Sequence, residues 1–286
     1  MTIRNPVEWV ADQFGNTVHG LDAAGRSLSV TEEDRGLAPP AVRRITVADV
    51  REALRAGIRD FAAYRTDVLF IGVVYPIAGL ILARLMAGYD MLPLVFPLVS
   101  GFALLGPAAA AGLYEMSRRR ERGEDAGWTD AFRVFSSPSI AGIAILGFVL
   151  AAIFGLWLVA AMAIYGATLG PAMPQSFGAF VTEVFTTPAG WALIVFGVGV
   201  GFLFAVLTLT ISVVSFPLLL DRRVRVTTAV LTSMRVVTEN PVPMMVWGLI
   251  VATGLALGAL PLLLGLIVVV PVLGHATWHL YRKTVG

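Results

Sequence analysis

Gly166–Pro188 reads GATLGPAMPQSFGAFVTEVFTTP and contains no lysine or arginine. Long apolar runs flank it, and beyond each of them basic residues return: Arg118, Arg119, Arg120, Arg122 and Arg133 on one side, Arg222, Arg223, Arg225 and Arg235 on the other. Nine more arginines lie between Arg4 and Arg65, and Arg282 and Lys283 stand near the last residue. Cytoplasmic loops of membrane proteins carry an excess of Lys and Arg. Alternation of basic and base-free connections therefore predicts a polytopic all-α membrane protein with both termini cytoplasmic and Gly166–Pro188 on the far side.

Composition supports this reading. Hydrophobic residues make up 57% and charged residues only 14%, against about 25% charged in soluble domains. Mean hydropathy is +0.80 and the pI is near 9.2. A net charge of only +2 does not make a nucleic-acid-binding surface. The basic excess is local instead, suited to anionic headgroups. With no cysteine, disulfides, thiolate nucleophiles and Cys-ligated metals are excluded. Arginine outnumbers lysine 20 to 1, as expected of a GC-rich bacterial genome. Arg4 is not followed by an apolar run, so the sequence predicts no cleavable signal peptide, and insertion falls to the first span.

Residues 1–45 read as a polar, poorly ordered arm, with Glu32, Glu33 and Asp34 and a break at Pro39-Pro40. An amphipathic interfacial helix is expected over 46–66. Thr46 is its N-cap, Val47, Val50, Leu54, Ile58 and Phe61 form its apolar stripe, and Asp60 lies on the polar side. The expected spans are 67–86, 91–116, 138–165, 188–217, 242–257 and 262–281. The last two come from one block that is too long for a single crossing of a roughly 30 Å core, broken at Gly258 and Pro261. Surface stretches at 47–64, 128–135 and 224–237 each precede a pair of spans, which suggests a threefold repeat of surface helix plus transmembrane hairpin.

Few residues suggest chemistry. His275 and His279 are four apart on one helix face and are the only weak candidates for a metal site. They lack further ligands at suitable spacing, and the expected role is an interfacial belt with Trp278 and Tyr281. Glu115 and Asp221 read as boundary charges. Arg84 sits near the outer end of the first span, close enough to reach the interface. Thr208, Thr210, Ser212 and Ser215 form a hydroxyl stripe on the fourth span, read as helix packing or as a lined pathway. Prolines 76, 97, 107 and 271 predict kinks. No catalytic residue and no cofactor is expected. Arg118, Arg119, Arg120, Arg222 and Arg223 are the expected lipid-headgroup residues.

VRRITVADVREALRAGIRDF (42–61), SGFALLGPAAAAGLYEMSRRRERG (100–123), PLLLDRRV (217–224) and PVLGHATWHLYRK (271–283) resemble a family of uncharacterised bacterial integral membrane proteins. The resemblance spans Pro40 to Lys283 and implies a multi-span helical protein of the inner membrane. It implies no substrate, cofactor or catalytic residue. The expected function is a non-enzymatic accessory, scaffold or assembly component, with the bilayer, anionic lipids and other membrane proteins as partners and no nucleic acid. The alternative is a carrier or channel for a small uncharged solute.

Overall fold

Thr46 opens the first helix with a reciprocal cap. Its N–H and hydroxyl donate to Asp49 Oδ2 at 2.8 and 2.7 Å, and its Oγ1 accepts the Asp49 N–H at 3.4 Å, one of the backbone donors that a helix start leaves unpaired. The computed structural model describes residues 40–63, 93–124, 127–170, 172, 174, 176–261 and 263–286. The expected first span 67–86, Pro76, Arg84 and the arm before residue 40 lie outside the described residues.

The helices are α1 (Val47–Ala63), α2 (Val95–Ala109), α3 (Ala111–Glu121), α4 (Ile140–Thr168), α5 (Phe177–Thr186), α6 (Pro188–Ser212), α7 (Ser215–Asp221), α8 (Val226–Glu239), α9 (Pro241–Ala259) and α10 (Leu266–Thr284), with a 3-10 helix at Trp128–Ser136. Among the described residues there is no strand, only one antiparallel bridge between Val42 and Val285. Among the described residues four stretches are long and apolar enough to cross a membrane: Val95–Glu121, Ile140–Thr168, Pro188–Asp221 and Pro241–Ala259. The α6–α7 break at Val213 and Val214 has a direct cause, because Pro217 has no N–H to donate to the Val213 carbonyl. Pro107 stands three residues before the α2–α3 interruption at Ala110.

In the apolar layer α4 packs between α2 and α6. Trp157 joins all three: its Nε1 donates to Pro97 O at 2.9 Å and its ring lies 5.8 Å from that of Phe204. Helix α5, in the base-free segment, was not expected from sequence. Ser176 caps it through the Ala179 N–H, and it packs against α6 at a corner where Thr187 caps α6 and Pro188 occupies its first turn.

Helices α9 and α10 are joined by a tight turn at the expected break. Gly258 and Gly265 approach so closely that a Cβ on Gly265 would lie 2.8 Å from Gly258 Cα. Leu263 adopts a left-handed φ of 68° in that turn. Helix α10 is apolar only in its first half. Its C-terminal half carries His275, Trp278, His279 and Tyr281, and it is not among the four apolar stretches.

Among the described residues the most extensive helix pair is α10 with α1, and it corrects the expected face of α1. The buried residues are Val50, Ala53, Gly57 and Asp60, whereas Val47 and Ile58 are 39% and 49% exposed. Backbone proximity sets this rotation: a Cβ on Gly57 would lie 2.6 Å from both Ala276 N and Val272 O. Small residues must therefore face α10, and the bulky edge turns outward.

Residues 40–45, assigned by sequence to the arm, are anchored. Arg43 N–H donates to Thr284 O at 2.8 Å, and Ile45 N–H donates to Asn240 Oδ1 at 2.8 Å. Asn240 Nδ2 returns a bond to Arg43 O at 3.2 Å. One side chain thereby ties the chain before α1 to the α8–α9 junction.

Candidate anion site on the basic face

Polar side chains gather where α3, α7 and α10 end and α4 begins. Glu115, where α3 passes from apolar to basic residues, is only 3% exposed. Isolated, such a carboxylate would be costly to bury. Arg118 meets Glu115 Oε2 through Nε at 2.8 Å and Nη2 at 2.6 Å, and Arg119 Nε reaches Oε1 at 3.1 Å. The i, i+3 and i, i+4 spacings bring these residues onto one helix face. Glu115 is thus the anchor of two guanidinium groups, which goes beyond the boundary charge expected from sequence.

Asp130, on the 3-10 helix, lies 3.5 Å from Arg119 and 2.6 Å from Arg133. It also accepts the Gly127 N–H at 2.9 Å. That backbone bond, with the two guanidiniums, outweighs burial and holds the Asp130 carboxyl below the usual range. Asp221 ends α7. It accepts the Tyr281 hydroxyl at 2.8 Å and lies 3.5 Å from Arg282 and 3.9 Å from Arg122. Arg282 also bonds Glu121, which takes the Trp278 indole N–H at 3.0 Å.

Between these groups lies a cleft of about 560 Å³. Arg118, Arg119, Arg133, Arg222 and Arg223 line it, with Ser136, Ser137 and Ser139 on the side where α4 starts and Glu115 and Asp221 beneath. Ser137 Oγ accepts the Ser139 N–H at 3.2 Å, and no side chain caps the first turn of α4. Guanidinium forks, hydroxyls and an uncapped helix N-terminus are the donors that bind oxyanions.

Residues 95–221 match the sequence model of a family described as "Predicted integral membrane protein (DUF2189)". The match agrees with the resemblance read from the sequence over that stretch, and it describes an integral membrane protein domain of unknown function. It covers α2 to α7 and all of the cleft lining except Arg222 and Arg223, which follow directly. The C-terminal motif at 271–283 lies outside it. No curated protein and no solved structure matches the chain.

Four of the five headgroup residues expected from sequence line the cleft. Arg120 does not: its Nη1 lies 3.3 Å from Asp60 and donates to Arg59 O at 3.1 Å, on α1. Sequence reasoning missed Arg133 and the three serines, although Ser-Ser-Pro-Ser ahead of a long apolar run is a helix-start signal.

Next to the cleft, α1, α3 and α10 enclose a second polar cluster. Ser117 Oγ donates to Asp60 Oδ2 at 2.7 Å and lies 2.8 Å from His275 Nδ1, and His279 Nε2 meets Asp60 Oδ2 at 2.8 Å. Asp60 is 5% exposed, and Ser117 and His275 are fully buried. Burial alone would raise the Asp60 carboxyl, but the bonds from His279 and Ser117, with the nearby imidazoles, outweigh it and hold the group below the usual carboxylate range. This corrects two expectations. Asp60 belongs to the buried face of α1, and His275, Trp278 and Tyr281 are enclosed by protein instead of forming a belt against headgroups. The two histidines face Ser117 and Asp60, and among the described residues no group of three or more His, Asp or Glu is placed to hold a metal ion.

Proposed function

We propose that this chain is a non-enzymatic accessory, scaffold or assembly component of the bacterial inner membrane whose basic face holds anionic lipid. The observation that carries the reading is the arginine-lined cleft at the level where α3 and α7 leave their apolar stretches. Basic pockets between membrane helices on the cytoplasmic side suit anionic headgroups. Six spans are reached by adding the 67–86 run and α10 to the four apolar stretches. Helices α1 and α8 and the 3-10 helix then precede one pair of spans each, the proposed threefold repeat. The outward edge of α1, Val47 and Ile58, suits the acyl boundary.

The fourth-span hydroxyls favour the scaffold over the carrier. Thr210 Oγ1 bonds Val206 O at 2.7 Å and Ser212 Oγ bonds Thr208 O at 2.5 Å. Ser215 Oγ reaches Ala229 O at 3.1 Å, and Ser233 Oγ reaches Thr210 O at 2.8 Å. The first two bonds close within α6, and the last two tie α7 and α6 to α8. One observation favours the carrier: Thr208 Oγ1 is buried without a hydrogen-bond partner among the described residues.

Purification in mild detergent followed by native mass spectrometry tests the reading. Co-purifying anionic phospholipid, lost in the Arg222→Gln/Arg223→Gln variant, is the expected result. Lipid content unchanged by that variant would overturn it. Orientation has its own test, since the sequence has no cysteine. An impermeant thiol reagent on intact cells is expected to label Ser176→Cys and not Thr238→Cys, both exposed positions; the reverse pattern refutes cytoplasmic placement of the basic face.

A further inference from the structure

The donors around the cleft are more selective than a generic basic surface. We infer that the cleft is a site for a phosphomonoester, a doubly charged phosphate group carried by a lipid or by a small soluble molecule. The inference rests on the reading of the basic face as an anion-holding surface and narrows it to one chemistry.

Preorganisation is the first argument. Glu115 pins Arg118 and Arg119 at 2.6–3.1 Å, and Arg118 Nη1 is fixed further by Leu220 O at 3.3 Å. Their remaining N–H groups are presented without the entropy cost of ordering two long side chains. Ser137 accepts from Ser139 N–H, so its own hydroxyl proton is left for an acceptor in the cleft. The 29-residue helix α4 points its N-terminus at the same space, and the positive end of a helix dipole favours an anion there.

Charge balance is the second. Among the described residues, five arginines (118, 119, 133, 222 and 223) line the cleft, Arg222 being held also by Gly286 O at 2.7 Å, against three carboxylates: Glu115 and Asp221 in the lining and Asp130, which pairs with Arg119 and Arg133. The carboxylates are engaged by these arginines, and the excess is two positive charges. Arg223 has no acidic partner among the described residues. A phosphomonoester carries about −1.5 to −2 near neutral pH, with a second pKa of about 6, and matches that excess. A phosphodiester, with one charge, leaves part of it unmatched. The volume of about 560 Å³ falls within the roughly 300–1,000 Å³ of small-ligand sites.

The test uses the full chain in nanodiscs of phosphatidylcholine doped, at equal mole fraction, with phosphatidic acid (a monoester) or phosphatidylglycerol (a diester). Phosphatidic acid is expected to bind at least tenfold tighter. That preference should shrink as the pH falls below the second phosphate ionisation. Arg223→Gln, an exposed residue without an acidic partner, and Arg222→Gln/Arg223→Gln should abolish the preference, whereas Arg235→Gln, whose partner is Glu239 on α8, should keep it. Glycerol 3-phosphate and inorganic phosphate, titrated against the lipid, separate the sources. Displacement by them supports a soluble ligand, and binding of the lipid alone supports a headgroup. Equal affinity for the two lipids, lost in the cleft variants, overturns the monoester assignment and leaves the anionic-lipid reading standing. Absence of any anionic-lipid binding overturns the lipid reading, and absence of binding of glycerol 3-phosphate and inorganic phosphate as well overturns the monoester site.

Discussion

Replacing Asp60 by Asn should detach α1 from the bundle, and the size of the effect follows from the geometry. Asp60 Oδ2 accepts from Ser117 at 2.7 Å and from His279 at 2.8 Å while Arg120 stands 3.3 Å from Oδ1. An amide of the same shape has only one acceptor atom, so whichever way it turns, its NH₂ group meets a donor. Hydrogen bonds to charged groups contribute about 1.5–3 kcal/mol each, and breaking a buried pair costs about 3–5 kcal/mol. Arg120 is 38% exposed and can turn to water, which places the expected loss near the lower end, about 3 kcal/mol. At about 2–4 °C per kcal/mol for chains somewhat shorter than this one, melting in detergent should fall by roughly 6–12 °C. Trypsin should then cut at Arg51, Arg55 and Arg59, and in the wild type the docked helix should keep these exposed sites uncut.

Glu52→Gln is the control, because Glu52 also joins α1 to α10, through Lys283 at 2.8 Å, but at the surface. Exposed pairs are worth about 0–1 kcal/mol, so its melting should move little. The pH dependence has a definite sign. The Asp60 carboxyl is held below its usual range, so its contribution is complete above the unfolded-state value of about 3.9 and is lost as pH falls through the lower folded value. The gap between wild type and Asp60→Asn should therefore close on acidification below about pH 4. Equal melting of the wild type and Asp60→Asn at neutral pH, with unchanged protease resistance, would refute the buried network as the clamp on α1.

Gly57→Ala places a methyl group 2.6 Å from the α10 backbone and should destabilise by about 1–3 kcal/mol, read as a lower melting temperature with earlier cleavage in α1. Thr46→Ala removes the hydroxyl that pairs with Asp49 and should cost about 1 kcal/mol, measurable in the same melting assay. Trp278→Phe keeps an aromatic ring but removes the fused pyrrole and leaves Glu121 without the indole N–H; a loss of about 1.5–3 kcal/mol is expected, and an unchanged melting temperature would show that Arg282 alone satisfies Glu121.

The helices were legible because periodicity and run length are local properties. The expected runs at 138–165 and 242–257 correspond closely to α4 and α9, and Thr46 and Gly258 mark the start of α1 and the break before α10. What escaped is set by distance in the chain. Asp60 looks like a member of the charged side of α1, and its burial depends on His279, 219 residues away. The three consecutive arginines were legible in principle. Successive helix positions differ by about 100°, so Arg118 and Arg119 can share Glu115 while Arg120 faces another element, here Asp60 on α1.

The polar half of α10 explains why α1 has its composition. His275, Trp278, His279 and Tyr281 look like a boundary belt when each is judged by preference for headgroup depth. Together they present one side of a helix whose polar groups need partners once it packs at close range. Helix α1 supplies Asp60 for His279, and α3 supplies Ser117 for His275 and Glu121 for Trp278. Close approach is required for bonds of 2.7–2.8 Å between side chains this short, and close approach is what Gly57 and Ala53 permit. The small residues and the single buried carboxylate on α1 are therefore one adaptation: a helix that could lie on the membrane by its apolar edge alone is shaped to cover the polar end of the bundle.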